Sequence, residues 1–439
     1  MAAITDHAQR NVTLEAALAE ARERYVAANP ASLAQHDAAR ASLPGGNTRT
    51  VLFFAPFPLT FVRGEGAHLW DADGHRYLDF LGEYTAGLFG HSHPTIRAAI
   101  ERALDGGISL GGHNRMEAQL SALLVERFPA LDLVRFTNSG TEANLMALTT
   151  ARAVTGRKKI MAMAGGYHGG VLYFAGGGSP VNAPFEVVLA PYNDAAASVA
   201  LIERHAAELA AVILEPMVGA GGCIPAEAAF LEALREATRR HGVVLIFDEV
   251  MTSRLAPGGL QQVTGVIPDM MTLGKYVGGG MSFGAFGGRA DIMARFDPRR
   301  PDAFPHAGTF NNNVLTMSAG IAAMGEIYTP ELATAFNARG DALRERLNDL
   351  AAKHGAALQF TGRGSMIGVH FARHPIRTPD DAARGDQGLK ELFFFDLLAR
   401  GLYIARRGVI VLSLPITERD CKMLVEAVDD FLSERGSLL

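Results

Sequence analysis

Cysteine is almost missing: Cys223 and Cys421 are the two in a chain of 439 residues. That excludes a disulfide framework and a cysteine metal cluster, and it suits a reducing cytosol. Long apolar runs are missing as well. No stretch reaches the ~18 uncharged apolar residues that a membrane helix requires. The first 30 residues carry charge throughout and read as neither signal peptide nor membrane span. Excess charge is lacking too. With 41 basic and 46 acidic residues the net charge is −5, which gives no reason to expect nucleic acid or an anionic membrane as partner. No His/Asp/Glu group stands at metal-ligand spacing. No G-x-G-x-x-G follows the first strand of a βαβ unit with an acid at the usual distance, so a nicotinamide site is not indicated.

Glycine is abundant, 48 of 439 residues. It clusters at strand ends and turns, with no internal repeat. The length suits two or three units of ~100–200 residues. Residues 12–28 predict an amphipathic helix ending before Asn29-Pro30. The segment 43-LPGGNTRTVLFFAPFPLTF-61 reads as an irregular arm, and residues 61–80 as a β-meander turning at DADGHRY. Residues 94–104 and 115–127 read as helices. From about 132 strands and helices alternate: VRFTNSG, then the helix TEANLMALTTARAVTG, then KKIMAMAG, AAVILEP, VVLIFDEV and DMMTLGK with helices between. Short, fully apolar strands suit a sheet covered on both faces, and the alternation predicts a mostly parallel α/β sheet. Beyond about 312, helices dominate, followed by short strands and a last helix, ERDCKMLVEAVDDFLSER. The expected organisation is an N-terminal segment (1–65), a large α/β domain (66–320) and a C-terminal α+β part (321–439) that joins the N-terminal segment in a smaller domain.

In a parallel sheet, ligands gather at the carboxyl ends of the strands. Four features stand there. In 138-NSGTEAN-144, Ser139, Gly140 and Thr141 open a helix and suit an anion; they also read as an ordinary N-cap. Asp248 ends the buried strand VLIFDEV. Burial of its charge demands a partner, which a protonated heteroaromatic nitrogen would supply, and so would a helix cap or a salt bridge with Arg254. Tyr167 in GGYHGG can stack on a planar ring or simply pack at the surface. Lys275 in LGKYVGGG follows an apolar strand; such an amine can condense with an aldehyde, or it is a surface lysine before a turn. An anion cradle, a stacking aromatic, a buried carboxylate and a strand-end lysine together meet the needs of one cofactor. Pyridoxal phosphate carries a phosphate, a flat ring, a ring nitrogen to be kept protonated, and an aldehyde.

With FTNSGTEAN, YHG, LEP at 214–216, FDEV and LGKYVGGG…GAFGG in place, the sequence resembles the fold-type I, class III pyridoxal-phosphate aminotransferases and the related glutamate-1-semialdehyde aminomutases. PGGNTRTVLFFAPFPLT, EYTAGLFGHS, FDEVMTSRLAP, GTFNNNV and RRGVIVLSLP resemble more narrowly the bacterial β-amino acid (β-phenylalanine) aminotransferases. The resemblance implies roles. Lys275 would be the Schiff-base lysine and proton shuttle, and Asp248 the partner of the ring nitrogen. Ser139, Gly140 and Thr141 would bind phosphate, Tyr167 would stack on the ring, and Glu215 would lie beside the ring's oxygen. Thr309 would reach the phosphate of a neighbouring subunit, so the enzyme would be a homodimer with shared sites. Arg49 and Arg407 would bind substrate carboxylates, with Arg406 leaving the register open by one. Phe53, Phe54 and Tyr84 are candidate apolar walls or core residues. The implied reaction moves the amine of an aromatic β-amino acid, (S)-configured, to 2-oxoglutarate or pyruvate by a ping-pong scheme. An aminomutase, a transaminase for another amine, and a non-catalytic binding protein are the competing readings. An intact Lys275 and the lack of a DNA-binding extension speak against the last.

Overall fold

The computed structural model describes residues 13–439, so the expectation for residues 1–12 lies outside the described residues. The chain opens with two helices, Leu14–Ala28 and Pro30–Ala39. Thr13 caps the first through its side chain, and Pro30 takes the first-turn position of the second, where its missing N–H costs nothing. Then come β1 (Phe61–Glu65), β2 (His68–Asp71) and β3 (Arg76–Asp79), the expected meander.

The centre is a seven-stranded sheet. Its strands are β4 (Leu133–Thr137), β5 (Lys159–Met163), β6 (Glu186–Ala190) and β7 (Leu209–Leu214), then, past the short hairpin β8 (Met217–Val218) and β9 (Ile224–Pro225), β10 (Val244–Asp248), β11 (Met270–Gly274) and β12 (Gly284–Gly288). The order is β4-β12-β11-β10-β7-β5-β6. β12 alone runs against its two neighbours; the other pairs are parallel. β7, β10, β11 and β12 are buried at every residue, which is why they read as unbroken apolar or glycine runs. This is the fold-type I α/β architecture expected.

Two elements of the chain escape the sequence pattern. β6 was not anticipated: it is an edge strand, half exposed, and EVVLA gives no clear alternation. The helix Gln387–Ala399 was also missed. It is buried from Leu389 through Leu398, so its sequence shows no polar face. That helix forms the contact between the chain's two ends. Arg22 pairs with Glu391 at 2.6 Å and Arg24 with Asp396 at 2.7 Å, while Tyr25 packs against Phe395 at 5.4 Å. β13 (Leu358–Arg363), β14 (Met366–Phe371) and β16 (Val409–Val411) form a small antiparallel sheet. β15 (Leu402–Tyr403) instead adds in parallel to β3, tying the C-terminal part to the meander.

The long helix Pro330–Lys353 crosses this small sheet at Gly340. A Cβ built there would lie 2.1 Å from the carbonyl oxygen of Gly364. Alanine is the better helix former by ~1 kcal/mol, but backbone overlap of this kind costs about 1–3 kcal/mol. Gly340→Ala is therefore expected to lower the denaturant midpoint, measured at fixed protein concentration. A raised midpoint would show that propensity wins over packing.

Candidate active site

The strand ends named by the sequence converge on one site. Asp248 is the last residue of β10, Lys275 follows the last residue of the adjacent β11, and Thr272 of β11 stands in register with Asp248. Asp248 is buried, and hydrogen bonds hold its charge. Oδ2 accepts from Asn144 Nδ2 at 2.8 Å and from His168 Nδ1 at 2.8 Å. Oδ1 accepts from the Val250 N–H at 3.0 Å and, more weakly, from the Thr272 hydroxyl at 3.4 Å. Asn144 is fixed in turn: its Nδ2 also reaches the His168 carbonyl at 2.9 Å, and its Oδ1 accepts from Thr272 Oγ1 at 2.7 Å. Arg254 is not the partner. Its buried guanidinium donates to the carbonyls of Thr85 and Leu412 and to the Ser365 hydroxyl. Asn144 and Thr272 were not singled out in the sequence; nothing local separates a polar residue that faces the core from one that faces water.

Lys275 has φ +55, a left-handed conformation that lysine adopts at a cost of ~1–2 kcal/mol. Burial lowers its pKa to about 8. Asp248 and Glu215 oppose that shift, while Arg407 and Arg49 add to it. Much of the amine is thus neutral near pH 8, the form needed for attack or proton removal.

Ser139 is the N-cap of the helix Gly140–Thr155, its Oγ accepting from Glu142 N at 3.1 Å. Thr141 Oγ1 accepts from Gly170 N at 3.3 Å. The N–H groups of Gly140 and Thr141 belong to the first turn, which has no intrahelical acceptors for them. Glycine is required around this cradle: a Cβ on Gly140 would lie 2.9 Å from Val250, and one on Gly169 would lie 2.3 Å from Thr141 Oγ1. Tyr167 is partly exposed, its ring edge-on to Tyr173 at 6.0 Å. Glu215 is buried and accepts the N–H of Tyr167 at 3.1 Å and of Gly219 at 2.9 Å. Burial raises its pKa, and Asp248 adds to that rise against the pull of His168.

The arginines enter from the other end of the chain. Arg407 stacks over the Tyr84 ring, its Cζ 4.5 Å from the centroid. Arg406 is turned away to Glu391 in an ion pair. Arg49 pairs with Glu83. Tyr84 is buried, and its hydroxyl donates to the Val51 carbonyl at 3.2 Å. Phe54 is core, packed on Tyr25 and Phe394. Phe53 is exposed, its ring 6.1 Å from His36. Thr309 is exposed and lines a separate cavity of about 1190 Å³ together with Asn138, Ser282 and Phe310. Lys275, Asp248, Tyr167 and Glu215 do not line that cavity. Among the described residues no group of three or more His, Cys, Asp or Glu could hold a metal ion.

These residues fit pyridoxal phosphate. A helix N-terminus cleared by glycine suits the phosphate. A buried carboxyl group with hydrogen-bond donors on both oxygens suits the ring nitrogen, and a lysine of lowered pKa suits the aldehyde.

The family profile described as aminotransferase class-III matches residues 54–432. A β-phenylalanine transaminase of Variovorax paradoxus is 55% identical over 429 residues, 98% of this chain and 99% of its own length. A glutamate-1-semialdehyde 2,1-aminomutase of Sorangium cellulosum is 40% identical over 392 residues, 85% of this chain and 89% of its own. The crystal structure of a β-phenylalanine aminotransferase from Variovorax paradoxus superposes with a TM-score of 0.96 at 55% identity, covering 97% of this chain and 99% of that one.

The depressed lysine gives a direct test. The rate at which apoprotein takes up pyridoxal phosphate is expected to rise with pH and level off above about 8. A rise that continues toward the ordinary lysine value of 10.5 would contradict the burial of the amine.

Proposed function

We propose, because the chain belongs to the class III aminotransferases, which are pyridoxal-phosphate-dependent enzymes, that it transfers the amine of an aromatic β-amino acid such as (S)-β-phenylalanine to 2-oxoglutarate or pyruvate by a ping-pong route. The observation that supports this reading is the pair of arginines that meet one turn, Arg407 stacked on Tyr84 and Arg49 paired with Glu83.

Bound pyridoxal phosphate supplies an aldehyde that captures the substrate amine and a ring that draws electrons from the neighbouring carbon. The chain's residues do the rest. The N–H groups of Gly140 and Thr141, with the Ser139 and Thr141 hydroxyls, would hold the phosphate. Asp248, hydrogen-bonded by Asn144, His168 and the Val250 N–H, would hold the proton on the ring nitrogen. Tyr167 would cover the ring, and Glu215 would lie at its oxygen side. Lys275 anchors the cofactor, then removes the proton from the amine-bearing carbon and returns it at the adjacent position, with its lowered pKa matched to both tasks. Arg407 takes the donor's carboxylate, its orientation fixed by stacking on Tyr84. Phe53 and Tyr84 border the side-chain space.

The same reading assigns residues 66–320 to cofactor binding, and residues 1–65 with 321–439 to a smaller unit that carries both arginines. It also takes the protein to be a cytoplasmic homodimer in which Thr309 of one subunit serves the phosphate of the other. The exposed apolar side chains of Ile108, Leu110 and Phe310 around the cavity beside Thr309 support that arrangement.

The test is a half-reaction. Loaded enzyme is mixed with each enantiomer of 3-amino-3-phenylpropanoate without a keto acid, and release of the β-keto acid is followed. The (S)-enantiomer is expected to give a single equivalent per site, and added 2-oxoglutarate to permit further turnover with formation of glutamate. Inertness toward both enantiomers, with isomerisation of glutamate-1-semialdehyde, would make the aminomutase reading the correct one.

A further inference from the structure

One short segment addresses both arginines. Gly82, Glu83, Tyr84 and Thr85 have φ values of +54, +48, +50 and +81. Four successive residues in the left-handed region, three of them not glycine, form a turn that the local sequence does not favour, at ~1–2 kcal/mol for each non-glycine residue. The surrounding structure imposes it. The carboxylate of Asp79, buried and held by His91 at 3.0 Å, accepts the N–H groups of Leu81 at 2.8 Å and Gly82 at 3.0 Å. The Gly87 N–H closes the turn onto the Gly82 carbonyl at 2.9 Å.

The consequence is geometric. Residues 83 and 84 follow each other, yet Glu83 meets Arg49 and Tyr84 lies beneath Arg407. The Tyr84 hydroxyl also holds the Val51 carbonyl, so the segment that carries Arg49 is fastened to the turn twice. The two arginines differ in charge balance as a result. Arg407 rests on an uncharged ring and, among the described residues, meets no carboxylate in an ion pair. Arg49 is already neutralised by one.

We propose that Glu83 is a specificity-determining positioning residue: an internal carboxylate that occupies Arg49 and is displaced when a substrate brings a second carboxylate. This rests on the reading of Arg49 and Arg407 as substrate-binding residues. A monocarboxylate with an aromatic ring requires one free cation, and Arg407 supplies it. A dicarboxylate requires two, so it must take Arg49 from Glu83. Both partners of the pair are about half exposed, so the pair is weak and exchangeable. A site that accepts an aromatic donor and a dicarboxylate acceptor in turn needs that property.

The experiment measures binding of two unreactive carboxylates, 3-phenylpropanoate and glutarate, to the loaded enzyme by calorimetry, beside kcat and KM for donor and acceptor. Glu83→Gln keeps the side chain's length and the backbone's demands and removes the competing charge. Glutarate is expected to bind about two- to fivefold more tightly, the range of one exposed ion pair, with 3-phenylpropanoate unchanged. KM for 2-oxoglutarate should fall by a similar factor at unchanged kcat, and Glu83→Asp should restore the native ratio of the two ligands. Unchanged glutarate binding in Glu83→Gln, or a parallel loss for both ligands, would overturn the proposal. Arg49→Ala separates the layers. A tenfold or greater loss of glutarate affinity upholds the underlying reading, so a silent Glu83→Gln then refutes the role of Glu83 alone. Glutarate binding unaffected by Arg49→Ala would refute the underlying reading, and the proposal with it.

Discussion

A carboxylate at the end of a buried strand is the constraint around which the site is arranged. Asp248 is buried at the end of β10, between a helix, a loop and β11, and a buried charge without partners costs several kcal/mol. Asn144 from the phosphate-side helix, His168 from the loop after β5, and Thr272 from β11 all turn toward it. Two of these residues also fix a neighbour: Asn144 the His168 backbone, Thr272 the Asn144 amide. The network therefore does more than hold one charge. It sets the relative positions of the anion cradle, the Tyr167 loop and the strand that delivers Lys275. Because the sheet is nearly all parallel, its carboxyl ends face one way, and these parts arrive together.

Backbone strain is concentrated at the candidate site. Among the described residues, Lys275 and the turn at Glu83, Tyr84 and Thr85 account for four of the six non-glycine residues with positive φ. β7, β10, β11 and β12 of the central sheet are buried throughout. This division suits an enzyme that must keep its cofactor fixed while accepting two dissimilar substrates.

Much of this was legible in the sequence because its determinants are local. The apolar strands β7, β10 and β11, the Ser139 cap and the strand-end positions of Asp248 and Lys275 follow from short runs of residues. What was not legible depends on distant packing. The helix Gln387–Ala399 is buried on every side, so its FFF run gives no period. The edge strand β6 is too short and too exposed to alternate. Asn144 reads as one polar residue in a helix until Asp248 stands opposite. Glu83 reads as a surface acid, and the left-handed turn that aims it at Arg49 is enforced by Asp79 and by the closing bond between Gly82 and Gly87. Arg406 likewise finds its partner in Glu391, a residue of the unread helix.

The claim at the centre is that Asp248, with its donors, holds a proton on the ring nitrogen of the cofactor. Nitrogen-15 NMR of enzyme loaded with ring-labelled pyridoxal phosphate measures that proton directly. The account predicts a protonated ring nitrogen in the native enzyme and an unprotonated one in Asp248→Asn at the same pH. An unprotonated nitrogen in the native enzyme, or the same signal in both, would contradict it.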